Sequence, residues 1–228
     1  MGVVPARGGS KEVPRKNLLK IEGKTLIQRA IESANESRFI NRVIMSSDDD
    51  EMIEEAKRFN CLVPFKRPSY LATDTSSTFS VIKHAVDWIE KKDNWFIDIV
   101  VLLQPTTPFR RGYHIDKVVN QLINSNADAV ITVREPDYTP YWMMEMDKKK
   151  SLKNIFKGGN KYKRRQDVPI TYQPAGMVYA FKKELIYKID TIFPFKDTRG
   201  FLVSREDSIN IDTYYDYQLA KIINRNNS

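Results

Sequence analysis

The sequence predicts a doubly wound α/β fold, a mostly parallel sheet with helices on both faces and one small insertion. Three observations carry that prediction. Short apolar runs alternate with helical periodicity from Val3 to about residue 133. The run Ile97–Leu103 is hydrophobic without a break, as in a strand buried on both faces of a parallel sheet. From 134 to 175 the alternation gives way to a polar, basic and aromatic stretch, and it resumes at Met177.

Val3 and Val4 close a first short strand, which runs into Pro5-Ala-Arg-Gly-Gly-Ser-Lys11 and on to Asn17. This loop has two glycines able to take positive φ (Gly8, Gly9), a hydroxyl (Ser10) and the cations Arg7, Lys11, Arg15 and Lys16. Consecutive N–H groups in such a loop form a concavity for anions. Arginine adds a fork for phosphate oxygens, and lysine a mobile point charge. The combination suits a polyphosphate; the alternative is a solvated basic turn. It has neither the GxxxxGK[ST] spacing of a P-loop nor a GxGxxG.

Thr25 precedes a helix with Leu26, Ile27, Ala30, Ile31 and Ala34 on one face. Strand Arg42–Ser46 ends in Ser47-Asp-Asp-Asp50 and a helix over about 50–59, acidic in its first turn. Cys61–Phe65 is extended, and Asp74–Thr78 caps a helix marked by Ile82, Ala85, Val86 and Ile89. After strand 97–103 come a helix near 114–124 and strand Ala129–Val133. Beyond the insertion, strand Met177–Phe181, a short helix near 183–188, a loop over 190–208 and Ile209–Asp212 lead to a closing helix.

At 228 residues the chain is expected to be a single domain, 1–228, with 134–175 inserted into it. No apolar run approaches a membrane span, and the phosphate loop begins too early to leave room for a signal peptide. Cys61 is the sole cysteine, which points to a reducing, cytoplasmic setting. With only His84 and His114, a histidine-rich metal site is unexpected, so any metal should be a hard cation on oxygen ligands. The net charge of +8 is local: residues 148–165 hold nine Lys or Arg and no acid. A nucleic-acid binder would use that segment as a phosphate stripe, and an arm near an anionic substrate fits it as well.

Open α/β sheets bind ligands beyond the carboxyl ends of their strands. Four segments fall at such ends: the phosphate loop, Ser46–Asp50, Gln104-Pro-Thr-Thr-Pro-Phe-Arg110 and Asn210-Ile-Asp212. Gln104 offers an amide to a ligand hydroxyl or base edge, or else caps a turn.

At these places the chain resembles the CMP-sialic acid synthetases (acylneuraminate cytidylyltransferases). The loop at 6–17 is similar to that family's ARGGSK…P.KN, and Gln104–Arg110 to its LQPTSPLR. Arg67–Thr75 resembles RPAELA.D.T, Arg164–Pro169 resembles RRQ..P, and Ser208–Asp216 resembles S.DIDT..D. The resemblance implies a nucleotide-diphospho-sugar transferase fold, Rossmann-like, with 134–175 as a dimerisation arm reaching the neighbouring subunit's site. The implied substrates are CTP and a nonulosonic (sialic-type) acid, with Mg²⁺ as cofactor and neither nucleic acid nor membrane as partner. The sugar's anomeric hydroxyl would attack the α-phosphorus and expel pyrophosphate.

Residue by residue, the resemblance implies that Arg7, Lys11 and Lys16 hold the phosphates, assisted by Ala6, Gly8, Gly9 and Ser10. Asn17 and Thr78 would contact the nucleoside, while Gln104 and Tyr179 would face the sugar. Arg165, from the arm, would pair with the sugar's carboxylate. Asp212 would bind Mg²⁺, with Asn210 beside it, and Arg7, Lys16 and Asp212 would be the catalytic set. Asp212 could instead cap the closing helix. Two departures stand out: Asn210 replaces the first aspartate of DID, and Pro174-Ala175-Gly176 replaces P-N-G. The Ala-Gly pair resembles relatives acting on pseudaminic acid, whereas the LQPT.P form resembles the sialic and legionaminic branch. A further alternative is an inactive family member that binds anionic polymers through 148–165.

Overall fold

The structure, a computed structural model, describes residues 1–10, 12–188 and 196–226. A six-stranded sheet has the order β10-β6-β9-β5-β1-β4. Its strands are β1 (Gly2–Pro5), β4 (Val43–Ser46), β5 (Ile99–Leu102), β6 (Ala129–Arg134), β9 (Gln173–Lys182) and β10 (Thr198–Leu202). The hairpin strands β2 (Lys20–Ile21) and β3 (Lys24–Thr25), with β7 (Met144–Met146) and β8 (Leu152–Asn154), form two separate ribbons. Strands β4, β1 and β5 run parallel, as do β6 and β10, while β9 lies antiparallel between β5 and β6. The mostly parallel sheet expected from the sequence is present, with one reversed strand.

Five helices follow the periodicities: α1 (Leu26–Asn35), α2 (Asp50–Lys57), α3 (Thr78–Asp93), α4 (Gly112–Ser125) and α5 (Tyr214–Asn226). Thr25, Asp49 and Ser77 cap the first three, each side chain accepting an amide hydrogen bond from the first turn. Strand β5 is buried on both faces, as its unbroken hydrophobicity predicts. Val101 joins the core formed with α1, α2 and α4, whereas Val100 and Leu102 join the core formed with α3.

Several boundaries are corrected. Part of the expected loop 190–208 is strand β10; residues 189–195 lie outside the described ones. Thr198–Leu202 is an edge strand with Gly200 at its centre and little burial, so its pairing comes from β6 rather than from any hydrophobic pattern. Strand β9 begins at Gln173, inside the segment expected to be inserted, because its first residues pair with Val133 and Arg134 beyond a register shift. The extended piece 61–65 makes only an isolated bridge, Ile44 to Leu62. The short helix near 183–188 is a 3₁₀ turn over Lys183–Tyr187.

Residues 135–172 hold the β7–β8 ribbon and short turns. Tyr141 packs on Phe156 and Tyr162, and Trp142 Nε1 donates to the Tyr162 carbonyl at 2.9 Å. Met144, Met146 and Leu152 on the ribbon are more than half exposed.

Candidate active site

The phosphate loop leaves β1 and is clamped by the end of β4. Ala6 N donates to the Ser46 carbonyl at 3.0 Å, and Gly8 N to Asp48 Oδ1 at 3.1 Å. Asp49 accepts a fork from Arg15 and the Met52 amide. Partial burial opposes ionisation of Asp49, but the hydrogen bonds from Met52 and Arg15 outweigh it and hold its pKa below the usual aspartate value. The acids of Ser46–Asp50 thus hold the loop.

Gly8 and Gly9, able to take positive φ, do not take it; among the described residues of this loop Arg15 is the left-handed one, at φ 56°. Gly8 is small for another reason. A Cβ there would lie 2.9 Å from Asp49 Oδ2, whereas one on Gly9 would meet nothing within 4 Å. Ala6 is a core residue. Lys11 lies outside the described residues.

Beside the loop is a cavity of about 450 Å³, lined by Arg7, Ser10, Lys16, Asn17 and Thr78. Arg7 Nη1 pairs with Asp74 Oδ1 at 2.9 Å and donates to the Thr73 carbonyl at 3.1 Å. Asn17 is buried, its Nδ2 reaching the Arg7 carbonyl at 3.5 Å. Thr78 opens α3, a 16-residue helix without acid in its first turn, so its positive end is uncompensated. Arg67, not singled out from the sequence, also lines this cavity and is buried. Its Nε donates to Ser46 Oγ at 3.0 Å and its Nη2 to the Ser46 carbonyl. Burial pulls its pKa down to about 10, which leaves it charged at neutral pH.

A second cavity, of about 510 Å³, includes Tyr179, Ala175, Arg134 and Arg205 in its lining. Gln104, Asn210 and Asp212 line both cavities. Gly176 lies beside that meeting point. It sits at φ +74°, and a Cβ there would stand 3.4 Å from Gln104 Oε1 and 3.9 Å from Asn210 Cγ. Buried Arg110 holds the loop after β5, its Nη1 donating to the carbonyls of Gln104 at 2.9 Å and Met177 at 2.8 Å and to Thr107 Oγ1 at 3.0 Å. Burial alone pulls its pKa down to about 9. The Ile211 amide donates to the Thr106 carbonyl at 2.8 Å, seating 210–212 on the same loop.

At the border, Lys16 Nζ lies 3.0 Å from Asp212 Oδ1, and Asn210 Nδ2 donates to Asp212 Oδ2 at 2.5 Å. Asp212 is not the helix cap. Thr213 and Asp216 form a reciprocal capping pair: Asp216 N donates to Thr213 Oγ1 at 3.2 Å, and Thr213 N to Asp216 Oδ2 at 2.7 Å. The Asp212 carboxylate is therefore not used by the helix; its partners are Lys16 Nζ and Asn210 Nδ2, which a bound cation would replace. Its oxygens and the Asn210 amide suit one hard cation that takes its other ligands from phosphate and water. Among the described residues no group of three or more His, Cys, Asp or Glu could hold a metal alone.

Arg165 stands apart, on a shallow hollow with Glu135, Pro136, Thr139 and Val168. Neither histidine lines either cavity. His114 accepts from the Arg111 amide at the start of α4, and His84 packs edge-on against Phe65. Burial pushes the Cys61 thiol up to about 12, which excludes it as a nucleophile.

Such a site, two adjoining cavities with cations in one and a carboxylate at their border, on a doubly wound sheet, defines a nucleotidyltransferase. The chain belongs to the cytidylyltransferase family: residues 1–220 match the model of that family, described as "Cytidylyltransferase". It is 29% identical over 221 residues to the pseudaminic acid cytidylyltransferase of Campylobacter jejuni subsp. jejuni, covering 97% of this chain and 94% of that one. It is 29% identical over 223 residues to the CMP-N,N'-diacetyllegionaminic acid synthase of Legionella pneumophila, with 97% and 94% covered. Its fold is similar to that of a CMP:2-keto-3-deoxy-manno-octonic acid synthetase solved with CTP, at TM-score 0.73 and 17% identity over 100% of this chain and 98% of that one.

Proposed function

We propose that this protein transfers the cytidylyl group of CTP to the anomeric hydroxyl of a nonulosonic acid. The hydroxyl oxygen bonds to the α-phosphorus, the bond to pyrophosphate breaks, and the hydroxyl proton leaves to solvent. The observation that carries this reading is the meeting of two cavities at Gln104, Asn210 and Asp212, where both substrates' reacting groups would lie together.

Arg7, Lys16 and the loop 6–11 receive the triphosphate and neutralise the charge that moves onto pyrophosphate. Asn17 and Thr78 contact the cytidine, while Gln104 and Tyr179 receive the sugar acid. Asp212 and Asn210 would hold Mg²⁺. When bound, the ion supplies Lewis-acid neutralisation at the α-phosphate.

The working form is a homodimer assembled through the arm. Exposed Met144, Met146 and Leu152 are its anchors, and the partner's arm brings an Arg165 to each site. The reaction belongs in the cytoplasm, with its nucleoside triphosphates; no helix of the described residues is long and apolar enough to cross a membrane.

The test is pyrophosphate release from CTP, ATP, GTP and UTP with pseudaminic, legionaminic and N-acetylneuraminic acids, with and without Mg²⁺. The expected result is release from CTP with one acid, dependent on Mg²⁺. Release from another nucleotide in preference to CTP overturns the reading.

A further inference from the structure

The sugar-side cavity contains a charge arrangement that the phosphate loop and the metal pair leave unexplained. Arg134, the last residue of β6, lies opposite Gln173 in the sheet register and is therefore mounted on rigid backbone. Its Nη2 lies 3.1 Å from Asp137 Oδ2. With the Gln173 amide oxygen turned toward it, Arg134 also donates to that oxygen from Nη2 at 2.7 Å and from Nε at 3.1 Å. Arg205, on the turn after β10, pairs with the other oxygen of the same carboxylate, Asp137 Oδ1. One carboxylate thus stands between two guanidiniums, and all three residues line the cavity that also holds Gln104 and Tyr179.

The other acids of this cavity are already committed. Asp212 is paired with Lys16, and Asp216 with the start of α5. The Arg134–Asp137–Arg205 group therefore keeps an unmatched positive charge, in a cavity whose ligand must be an anion if the proposed function holds.

We propose that Arg134 and Arg205 form the receptor for the carboxylate of the acid substrate, and that Asp137 fills that receptor in the free protein and is displaced on binding. This rests on the proposed function for the class of ligand, a 2-keto sugar acid. The parts differ in freedom in the way such an exchange needs. The Arg134 side chain is 18% exposed, against 46% for Asp137 and 59% for Arg205. Arg134 is the fixed half of the fork, Arg205 closes on it, and Asp137 can swing to solvent. Asp137 is held ionised mainly by the hydrogen bond from Arg134, with Arg205's charge adding to it. Its carboxylate thus matches the incoming one in charge and shape, and the exchange conserves the count of ion pairs. Asp137 lies at the root of the arm, so binding at the fork also releases a tether on that segment. The same-chain fork holds the carboxylate from within the cavity, and the Arg165 brought by the partner's arm would add to it from outside.

The experiment measures binding of pseudaminic, legionaminic and N-acetylneuraminic acids by calorimetry to the full chain saturated with α,β-methylene-CTP and Mg²⁺, where no transfer occurs. Arg134→Gln and Arg205→Gln should each weaken binding of the favoured acid at least tenfold, with analogue affinity unchanged within twofold. Asp137→Asn should tighten acid binding about threefold or more, because it removes the competitor while keeping the shape. A purely structural latch would give the reverse: Asp137→Asn would lower the melting temperature and weaken the acid. That outcome overturns the proposal, as do arginine variants that melt normally and bind within twofold of the parent. If the analogue binds but none of the acids does, the substrate reading has failed and the proposal falls with it. Pyrophosphate release with an acid, joined to unchanged binding by the variants, overturns the fork alone.

Discussion

The two cavities are built in opposite ways. The nucleotide side is framed largely by contiguous chain: one loop after β1, fastened by Asp48, Asp49 and the Ser46 carbonyl, and the start of α3. The sugar side is assembled from the ends of β5, β6 and β9 with the turns at 137 and 205–212, and its cations meet a carboxylate that can leave. A cavity framed by one loop and one helix start is suited to a ligand common to a family, since its donors Arg7, Lys16, Asn17 and Thr78 are placed together by local chain. A cavity made of scattered side chains can change substrate by single replacements, as at Ala175. The border residues belong to both and should be the least tolerant of change.

Asp212→Asn is therefore expected to have the largest effect. It removes the border's one carboxylate and the Lys16 ion pair while leaving the Thr213–Asp216 cap in place. Turnover should fall by roughly a hundredfold or more, the scale of about 3 kcal/mol in transition-state charge stabilisation. Melting should barely move. A variant that melts earlier but turns over normally at low temperature would return Asp212 to a structural role and leave the two cavities without a shared catalytic group.

Next is the nucleotide side alone. Arg7→Ala should weaken CTP by about 1.5–3 kcal/mol, the cost of losing a charge-assisted contact to phosphate. Acid affinity at saturating analogue should stay as it was. Calorimetric titration of CTP that gives an affinity within twofold of the parent would remove Arg7 from the phosphate site and give its role to Arg67.

That contrast also explains what could be seen in the sequence. The loop at 5–17 was legible because its cations and small residues are adjacent in the chain, and β5 because burial on both faces leaves an unbroken apolar run. That Gly8 is small to admit Asp49, a residue some forty positions away, was not legible, because only the folded chain brings the two together. Arg67 and Arg110 stand in segments the resemblance picks out but carried no assigned role, and Arg134 and Arg205 gave no signal that separates them from solvated cations. Only the folded chain shows that Arg110 is buried among carbonyls and that Arg134 and Arg205 share Asp137. Strand β10 was hidden for a related reason: an edge strand with a central glycine has no hydrophobic alternation to read.

The border can also be strengthened rather than broken. Asn210→Asp adds a carboxylate next to Asp212 and should lower the Mg²⁺ concentration giving half-maximal activity several-fold, read from an activity titration at fixed CTP. An unchanged midpoint would show that the side chain at 210 takes no part in holding the ion.

The smallest effect is expected at the helix that follows. Thr213 caps α5, its hydroxyl donating to Asp216 Oδ2 at 2.8 Å and accepting from Asp216 N at 3.2 Å. The Asp216 carboxylate also accepts from the Asp212 amide at 3.1 Å, a bond that does not pass through the threonine side chain. Thr213→Ala removes the cap and should cost about 1 kcal/mol. In a chain of this size that lowers the melting temperature by roughly 2–4 °C. Since Asp216 still orients the Asp212 backbone, kcat and both KM values measured well below the transition should match the parent. This variant has the opposite profile to Asp212→Asn, stability lost and turnover kept, although the two residues are adjacent. If Thr213→Ala instead lowers kcat at 10 °C while melting as the parent does, the cap and the border are one catalytic unit, and the separation of Asp212 from helix α5 is wrong.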